Sequence, residues 1–435
     1  MTSRIEGTLP RRGQLGFAVR PGEHAEIGRV AAGSPAAEGG LRPGDHAVSL
    51  NGEAIPDAAW LRRAVQAIHV GAEVTLGISR DGVAMELTLR VGARPLEAHA
   101  GCETVYFDVP CAEYRLRAIA TTPANARDRA LPWILYVQGH GAASVDAGLE
   151  VERPLPALVG ALTRAGWGVV RFERSGVGDS EGPAPALLSL AEEIAQVRAV
   201  HRRARALHGF DPAAGVLLGH SLGGVAACAI ASDEAERPAG LVLYGGGVKL
   251  WTEYFDACAR KQWTLAGTRI VDQDRALRLI QRFHAMLIYE GLSLAEIRSR
   301  MPEIDAEAEL LGIGGADHAP GLHEVVRGRP ASYWREMNEA RVATQLTSAN
   351  LPVLAAWGAS DWLSMREDHE LIAACVNEGA PGKGAFIEIP RADHHFAERA
   401  TDAESYAARD RGSLAEAIPA TLVAWLRSET PSTRG

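Results

Sequence analysis

The stretch GVLLGHSLGGVAA, Gly215 to Ala227, decides the fold. It begins as an apolar run typical of a buried β-strand, breaks at Gly-His-Ser-Leu-Gly-Gly, and resumes with small apolar residues that favour a helix. The glycines two positions before and after Ser221 relieve crowding where a strand and a helix meet at a sharp turn. The stretch therefore predicts a strand, a turn and a helix with Ser221 at the turn, either as a reactive group or only as a small residue.

Strand-like and helix-like segments alternate on both sides of this unit. Upstream lie LPWILYVQGHG, a helical pattern near residues 154–165, WGVVRFER, and a second helical pattern at 188–207. Downstream lie GLVLYGG and, after a long interruption, LPVLAAWG, GAFIEIP and a helical pattern around 413–427. Strands separated by helices form right-handed crossovers, so we expect the α/β class, with a mostly parallel sheet covered by helices on both faces.

The alternation stops between about residues 248 and 350, where helical patterns such as DRALRLIQRFHAMLIY take over. A segment of that length is too long for a simple loop and is expected to form a helical insertion. It is rich in aromatic residues: Trp251, Tyr254, Phe255, Trp263, Phe283, Tyr289, Tyr333 and Trp334. Each one alone is typical of a core, but as a set above a serine site some are expected to line an apolar acyl or alcohol pocket.

Composition excludes several classes of protein. The 435 residues carry 45 basic and 54 acidic side chains, and this net charge of −9 gives no general attraction for nucleic acid. No apolar run approaches the roughly 18 residues of a membrane span. Five scattered cysteines indicate reduced thiols and no secretory signal is visible, so a cytoplasmic location is expected. Neither metal-ligand spacing nor a nucleotide-binding glycine pattern is present, so neither a metal nor a cofactor is expected.

A serine hydroxyl becomes a nucleophile only beside a base that takes its proton and an acid that orients the base. The chain offers both residue types at strand ends downstream of Ser221. Asp361 follows the strand in AAWGASDWLS, and His394 and His395 follow the next one in IEIPRADHHF. We expect Ser221, Asp361 and His394 to form the site. A helix-capping or surface role for Asp361, and His395 in place of His394, stay open as alternatives.

Residues about 100 to 430 resemble the α/β-hydrolase fold family with a helical cap. The resemblance is carried by the strand–GHSLG–helix unit, by the chain order Ser, Asp, His, and by an insertion between nucleophile and acid. It identifies the GHSLG turn as a nucleophile elbow and implies a catalytic triad of Ser221, Asp361 and His394.

Two further segments match the same family. VQGHG, residues 137–141, occupies the place of the oxyanion-loop motif, with Gln138 where histidine is commoner. By that match, the backbone amides of His140 and Leu222 are implied as the oxyanion hole. RFERSGVGDSEG, residues 171–182, resembles the loop after the fourth strand, with Glu173 and Ser175 substituting for more usual residues.

The first segment of the chain has a different character, with short strands separated by Gly and Pro and one helical stretch at 57–68. GQLGFAV, GSPAAEGGLRPGD and the turn at residues 51–52 resemble a PDZ domain of the bacterial type over most of residues 12–92. The resemblance implies that a loop with Leu15, Gly16 and Phe17 binds a peptide C-terminus beside a sheet edge. Turns in a small structural domain are the alternative interpretation.

The expected organisation is a PDZ-like domain at residues 1–95 and an α/β-hydrolase domain at 96–435, with its cap insertion at about 248–350. We expect a serine hydrolase that cleaves carboxylic esters through an acyl-enzyme. One alternative is a peptidase or amidase acting on peptides docked by the PDZ-like domain, and another is a non-catalytic peptide-binding scaffold. The expected partners are a small ester or a peptide substrate and a peptide C-terminus, with neither nucleic acid nor a membrane span.

Overall fold

The structure, a computed structural model, describes residues 2–20, 25–66, 68–126, 130–141, 143–148, 150–313, 325–409 and 411–429. The chain divides into two compact units, Leu9–Leu96 and the combination of Met1–Thr8 with Glu97–Gly435. The expected boundaries place residues 1–95 in the first domain, whereas the first strand, β1 (Thr2–Ile5), lies in the larger unit. It does so because it pairs in parallel with Cys102–Cys111.

The smaller unit is built from short strands and two helices. In chain order these are β2 (Gly13–Gln14), β3 (Phe17–Val19), β4 (Ile27–Val30), α1 (Pro35–Glu38), β5 (His46–Leu50), β6 (Glu53–Ala54), α2 (Ala58–Gln66), β7 (Glu73–Arg80), β8 (Val83–Arg90) and β9 (Gly92–Ala93). Asn51 and Gly52 both have positive φ, 51° and 82°, which is the backbone that a tight hairpin between β5 and β6 requires. Leu15, Ile27 and Leu76 belong to a core of its own.

The larger unit continues with strands and helices in alternation. These elements are β10 (Cys102–Cys111), β11 (Tyr114–Pro123), β12 (Leu131–Val137), α3 (Pro154–Arg164), β13 (Gly168–Phe172), a short 3-10 turn (Pro185–Leu187), α4 (Leu190–Arg205), β14 (Phe210–His220), α5 (Gly223–Ala231) and β15 (Gly240–Tyr244). Helix α4 begins with a capping box, in which the Ser189 hydroxyl accepts from the backbone N–H of Glu192 and the Glu192 carboxylate accepts from the backbone N–H of Ser189.

After β15 the chain forms a series of helices, in the stretch where the sequence predicts an insertion. They are α6 (Trp251–Leu265), α7 (Ile270–His284), a π-helical turn (Ala285–Tyr289), α8 (Leu294–Arg300), a 3-10 turn (Pro302–Asp305), α9 (Ala308–Leu311), the small hairpin β16 (Val325–Val326) and β17 (Arg329–Pro330), α10 (Ala331–Glu339) and α11 (Val342–Ala349). Of the predicted aromatic set, Phe283, Tyr333 and Trp334 are core residues of this region.

The main sheet is completed by β18 (Val353–Gly358), α12 (Arg366–Gly379), β19 (Gly384–Ile389), α13 (Asp402–Ala408) and α14 (Ala417–Glu429). Its nine strands run in the order β1-β10-β11-β13-β12-β14-β15-β18-β19, and all neighbours are parallel except at the two edges of β11. The predicted α/β fold is confirmed.

Buried side chains on both faces of the sheet explain its apolar strands. Along β12, Trp133 and Leu135 pack into one core and Ile134 and Tyr136 into the other, because successive side chains of a strand point to opposite faces. Within the described ranges, no helix combines the length and the apolar character needed to span a membrane.

Candidate active site

Ser221 lies on the turn between β14 and α5. Its φ is +53°, in the left-handed region that a residue with a side chain rarely adopts, and its backbone N–H donates to the carbonyl of Tyr244 at 2.8 Å. Strain of this kind persists only where the surroundings fix it, and it is frequent at reactive groups. The turn therefore holds the serine in one fixed position at the carboxyl end of the sheet.

Asp361 and His394 are brought together by the loops that follow β18 and β19. His394 Nδ1 lies 2.8 Å from Asp361 Oδ2, and both side chains are almost fully buried. His395 is the alternative base, and its backbone N–H donates to Oδ1 of Asp393 at 2.9 Å. Of the two histidines, the structure pairs His394 with the acid.

Asp361 accepts three further hydrogen bonds: from Leu363 N at 2.6 Å, from Ser364 N at 2.8 Å and from Ser364 Oγ at 2.6 Å. Burial alone would raise the pKa of this carboxyl group. The charge and hydrogen bond of His394, together with the donors of Ser364, outweigh burial and hold the pKa of Asp361 well below its usual range. The carboxylate is therefore ionised and its orientation is fixed.

The loop after β15 connects this pair to the serine. A Cβ built on Gly245 would lie 2.9 Å from Nδ1 of His394 and 3.4 Å from Oδ2 of Asp361. A Cβ built on the next residue, Gly246, would lie 3.4 Å from the carbonyl oxygen of Ser221. The structure thus brings the three predicted residues to one place, around a loop in which a side chain at Gly245 would collide with His394, whereas one at Gly246 would only contact the serine backbone.

His220, directly before the serine, contacts the same loop. Its Nε2 lies 2.8 Å from the carbonyl oxygen of His394, and its Nδ1 lies 2.9 Å from the hydroxyl of Tyr136. Burial first, and then the neighbouring histidines, lower the pKa of His220 well below 6.5, so the ring is neutral. A neutral ring satisfies both contacts when Nε2 donates to the carbonyl and Nδ1 accepts from Tyr136.

The segment 137–141 lies beside the serine, as expected for an oxyanion loop. A Cβ on Gly139 would come within 2.8 Å of the Cβ of Ser221. Within the described part of the chain, the backbone amides of His140 and Leu222 donate to no other protein group. Gln138, which departs from the commoner histidine, donates from Nε2 to the carbonyl of Phe172 at 3.3 Å, so it anchors the start of the loop.

A buried guanidinium fixes the carbonyls of this loop. Arg174 donates to the carbonyl of Gln138 at 2.9 Å and to the carbonyl of Gly141 at 2.5 Å. The same guanidinium is paired with Glu193 of α4, with Nε 3.0 Å from Oε1. Fixing the carbonyls also fixes the amides between them, because the peptide planes are rigid.

The helical insertion reaches the same loop through Arg329. Its guanidinium lies 2.5 Å from Oε1 of Glu193 and donates to the carbonyls of His140 at 3.2 Å and Pro185 at 2.7 Å. Tyr333 completes this buried network with a 3.3 Å hydrogen bond to Glu193. Burial lowers the pKa of Arg329 although Glu193 opposes the shift. Sequence reasoning missed Arg329 and Glu193, because nothing in the pattern links a two-residue strand to a distant helix.

A pocket opens at the serine between the sheet and the insertion. It encloses about 430 Å³ of empty space, including open solvent at its mouth. Its walls are Ser221, Leu222, Val225, Gly246, Gly247, Lys249, Trp251, Tyr254, Met337, Ala340 and Val342. Of the predicted aromatic residues, Trp251 and Tyr254 line it, and Trp251 is held by stacking on Trp334 with ring centroids 4.3 Å apart. Most of its wall residues are apolar or aromatic, but polar and apolar atoms line the pocket in about equal measure, and Lys249 is a charged residue on its wall.

In the smaller unit, Leu15, Gly16 and Phe17 form a turn that leads into β3. Leu15 is buried, Gly16 has a φ of +81°, and the carbonyl of Gly16 accepts from Ala31 N at 2.8 Å. Strand β3 pairs with β4, and its other edge has no partner strand among the residues described.

Models of known protein families match both the larger and the smaller unit. A family model described as serine aminopeptidase, S33, matches residues 154–396, which is more than half of the chain. A second model, described as PDZ domain, matches residues 13–91.

Curated relatives cover only a short part of the chain. A probable periplasmic serine endoprotease, DegP-like, from Pseudomonas fluorescens is 41% identical over 73 residues, 17% of this chain and 15% of that protein. The periplasmic serine endoprotease DegP from Escherichia coli is 39% identical over 67 residues, 15% of this chain and 14% of that protein. The chain therefore spans a small fraction of the length of these relatives.

Solved structures similar to this chain include esterases. Est1E from Butyrivibrio proteoclasticus with bound ferulic acid is 18% identical, with a TM-score of 0.46 over 74% of this chain and 98% of that one. The Pyrococcus furiosus esterase Pf2001 is 11% identical, with a TM-score of 0.45 over 78% and 99%. Similarity at this level leaves the substrate open. With the sheet, the serine turn and the family match together, the chain belongs to the serine aminopeptidase S33 family of α/β serine hydrolases and carries a PDZ domain.

Proposed function

We propose that the protein hydrolyses carboxylic esters through a triad of Ser221, His394 and Asp361. One observation carries the proposal: the buried 2.8 Å contact between His394 Nδ1 and Asp361 Oδ2, next to a serine fixed at positive φ. An ionised, fully buried aspartate that accepts from Nδ1–H leaves Nε2 of the imidazole as the basic nitrogen.

In the proposed reaction, His394 Nε2 takes the hydroxyl proton of Ser221 as the serine oxygen attacks the ester carbonyl. The carbonyl oxygen becomes an oxyanion and accepts hydrogen bonds from the amides of His140 and Leu222. The imidazolium, stabilised by Asp361, returns its proton to the leaving alcohol as the ester bond breaks. Water then repeats the sequence on the acyl-enzyme and releases the acid and the free serine.

The pocket supports an apolar substrate group. Its walls of Leu222, Val225, Trp251 and Met337 bury an acyl or alcohol chain next to the serine oxygen. The insertion acts as a cap in this proposal, because Trp251, Met337 and Val342 come from its helices.

The ester proposal is tested with p-nitrophenyl esters of increasing chain length. Ser221→Ala is expected to lose turnover, and Ser428→Ala, which removes a hydroxyl from the last helix, is expected to keep it. Esterase turnover by the Ser221→Ala protein at the wild-type rate would overturn the proposal.

Peptide cleavage is a second candidate, supported by the serine aminopeptidase family model and by the PDZ domain in the same chain. In this version a peptide C-terminus adds to the open edge of β3 beside the turn of Leu15, Gly16 and Phe17. Internally quenched peptides with free or amidated C-termini separate the two candidates on the full-length protein. Faster cleavage of the free-carboxylate peptide supports docking, and no cleavage of either peptide alongside rapid ester turnover leaves the esterase.

The cytoplasmic location is also a proposal, supported by the five cysteines, all of which are free thiols. Cell fractionation with antibody detection tests it, and recovery of the protein from an oxidising compartment would contradict it.

A further inference from the structure

Lys249 puts an ammonium group on the wall of the pocket that contains Ser221. It follows the glycine loop after β15, and its side chain is 20% exposed. The side chains around it on the wall are largely apolar, among them Leu222, Val225 and Met337. Covering an ammonium group with a purely apolar ligand costs free energy, since its N–H donors lose water and gain nothing.

Asp368 holds this ammonium in place. Its Oδ1 lies 3.0 Å from Nζ of Lys249, and its side chain is fully buried in the first turn of α12. Among the residues that the structure describes, Lys249 Nζ makes no polar contact with the protein other than the one to Asp368. An ammonium group carries three N–H donors, so donors remain for a ligand in the pocket.

The charges around the ammonium group determine whether it favours a carboxylate oxygen or a neutral carbonyl oxygen on the ligand. Burial raises the pKa of Asp368, Lys249 opposes the rise, and Glu367 and Glu253 add to it through their negative charges. Asp368, 3.0 Å from Nζ, is an acidic partner beside the ammonium group, and Glu367 and Glu253 add negative charge around this pair. A carboxylate on the ligand would be repelled by these groups, whereas a neutral carbonyl oxygen would not.

We propose that Lys249 is a specificity-determining residue that binds a neutral carbonyl oxygen on the substrate chain occupying the pocket. The inference rests on the proposed ester hydrolysis and names its substrate class: esters whose apolar chain carries a second, uncharged carbonyl group. Asp368 is the positioning residue that holds the ammonium group at the wall.

Three p-nitrophenyl esters of equal length test the proposal: pentanoate, levulinate, which carries a ketone, and the succinate monoester, which carries a carboxylate. A second set of the same three esters, each with one more methylene in its chain, covers the case in which Lys249 lies deeper in the pocket. For wild-type protein we expect kcat/KM for one of the ketone esters to exceed that of its plain counterpart about tenfold, the size of a hydrogen bond to a charged donor. The carboxylate ester is expected to fall below the ketone.

The variants are Lys249→Met, which keeps the length of the side chain, and Lys383→Met as the matched control at the surface, where Lys383 contacts Asn350. Lys249→Met is expected to bring the ketone preference close to one, and Lys383→Met to keep it. If Lys249→Met fails to fold because Asp368 is left unpaired, Lys249→Met with Asp368→Asn removes both charges and gives the same expectation.

A wild-type enzyme without ketone preference, a preference that survives in the Lys249 variants, or a preference for the carboxylate ester overturns the inference. Fluorophosphonate labelling separates this failure from failure of the proposed function. If wild-type protein is labelled and cleaves esters without ketone preference, only the role of Lys249 is contradicted. If it neither reacts with the label nor cleaves any ester, the proposed ester hydrolysis itself is contradicted.

Discussion

Replacing Arg329 tests whether the insertion holds the oxyanion loop in its active geometry. The Arg329→Met change removes the donor to the carbonyl of His140 at 3.2 Å and the 2.5 Å contact to Glu193, while keeping an apolar chain in place of the arginine stem. Met cannot replace these contacts, so the carbonyls of His140 and Pro185 lose a buried donor and Glu193 loses one of its two ion-pair partners.

The expected loss of stability depends on the contacts that Glu193 keeps in the Arg329→Met protein. Breaking a buried ion pair costs about 3 to 5 kcal/mol of the free energy of unfolding. Arg174 stays 3.0 Å from Glu193, so the carboxylate keeps one cation and we expect the lower end of this range. Loss of a whole oxyanion donor lowers kcat by about 100-fold to 1000-fold, and a misplaced amide is expected to cost about tenfold to 100-fold.

The assay is ester turnover with separate kcat and KM, alongside thermal unfolding. We expect kcat to fall and KM to change by less than about twofold, because the oxyanion forms only in the transition state. A trifluoromethyl ketone, which forms an oxyanion on the serine, is expected to lose affinity by the same factor as kcat/KM. Arg335→Met in α10 is the matched control, because Arg335 donates to Leu287 in the insertion, and it is expected to retain kcat.

A lowered unfolding temperature with unchanged kcat and unchanged inhibitor affinity would contradict a role for Arg329 in positioning the amide of His140. Arg329 would then be a packing residue, and the oxyanion loop would be held by Arg174 and Gln138 alone.

Asp361, the paired histidines 394 and 395, and the buried imidazoles of His284 and His369 can each be tested by substitution. Asp361→Asn is expected to lower kcat by about 10⁴-fold, since an amide NH₂ in place of Oδ2 holds the wrong tautomer of His394; a loss below tenfold in steady-state kinetics would contradict it. His394→Ala is expected to abolish ester turnover and His395→Ala to retain it, and equal losses in the same assay would remove the distinction. Burial lowers the pKa of both His284 and His369 from 6.5 to about 4. The unfolded chain therefore binds protons that the folded chain does not between these values, and the free energy of unfolding should fall on acidification by about 1.4 kcal/mol per pH unit for each histidine. Denaturant titrations of wild type and His284→Leu measure this slope, and an identical slope in both would contradict it.

The sheet and the serine turn are readable from the sequence because both follow from local patterns. Apolar segments alternate with helical ones, and the GHSLG turn lies between a strand and a helix, so the fold and the meeting of Ser221, Asp361 and His394 are predictable from strand order alone. The sequence favours His394 over His395, and the 2.8 Å contact of His394 Nδ1 with Asp361 Oδ2 agrees with that preference, although the loop geometry that directs this ring toward Asp361 is not readable from two adjacent histidines.

The remaining features depend on contacts between segments far apart in the chain. The first strand is four residues long and has no pattern that assigns it to the large sheet rather than to the PDZ domain. Arg329 lies in a two-residue strand, and its partner Glu193 is an ordinary acidic residue of a surface helix until the fold buries it. Lys249 and Asp368 form an ion pair only because the loop after β15 meets the start of α12.

Labelling with a fluorophosphonate, followed by mass spectrometry of the modified peptide, shows directly whether Ser221 is the nucleophile. We expect one adduct, on the peptide that contains Ser221, and its loss in both the Ser221→Ala and the His394→Ala proteins. Labelling of a different serine, or absence of labelling in folded wild-type protein, would contradict the assignment of Ser221 as the nucleophile.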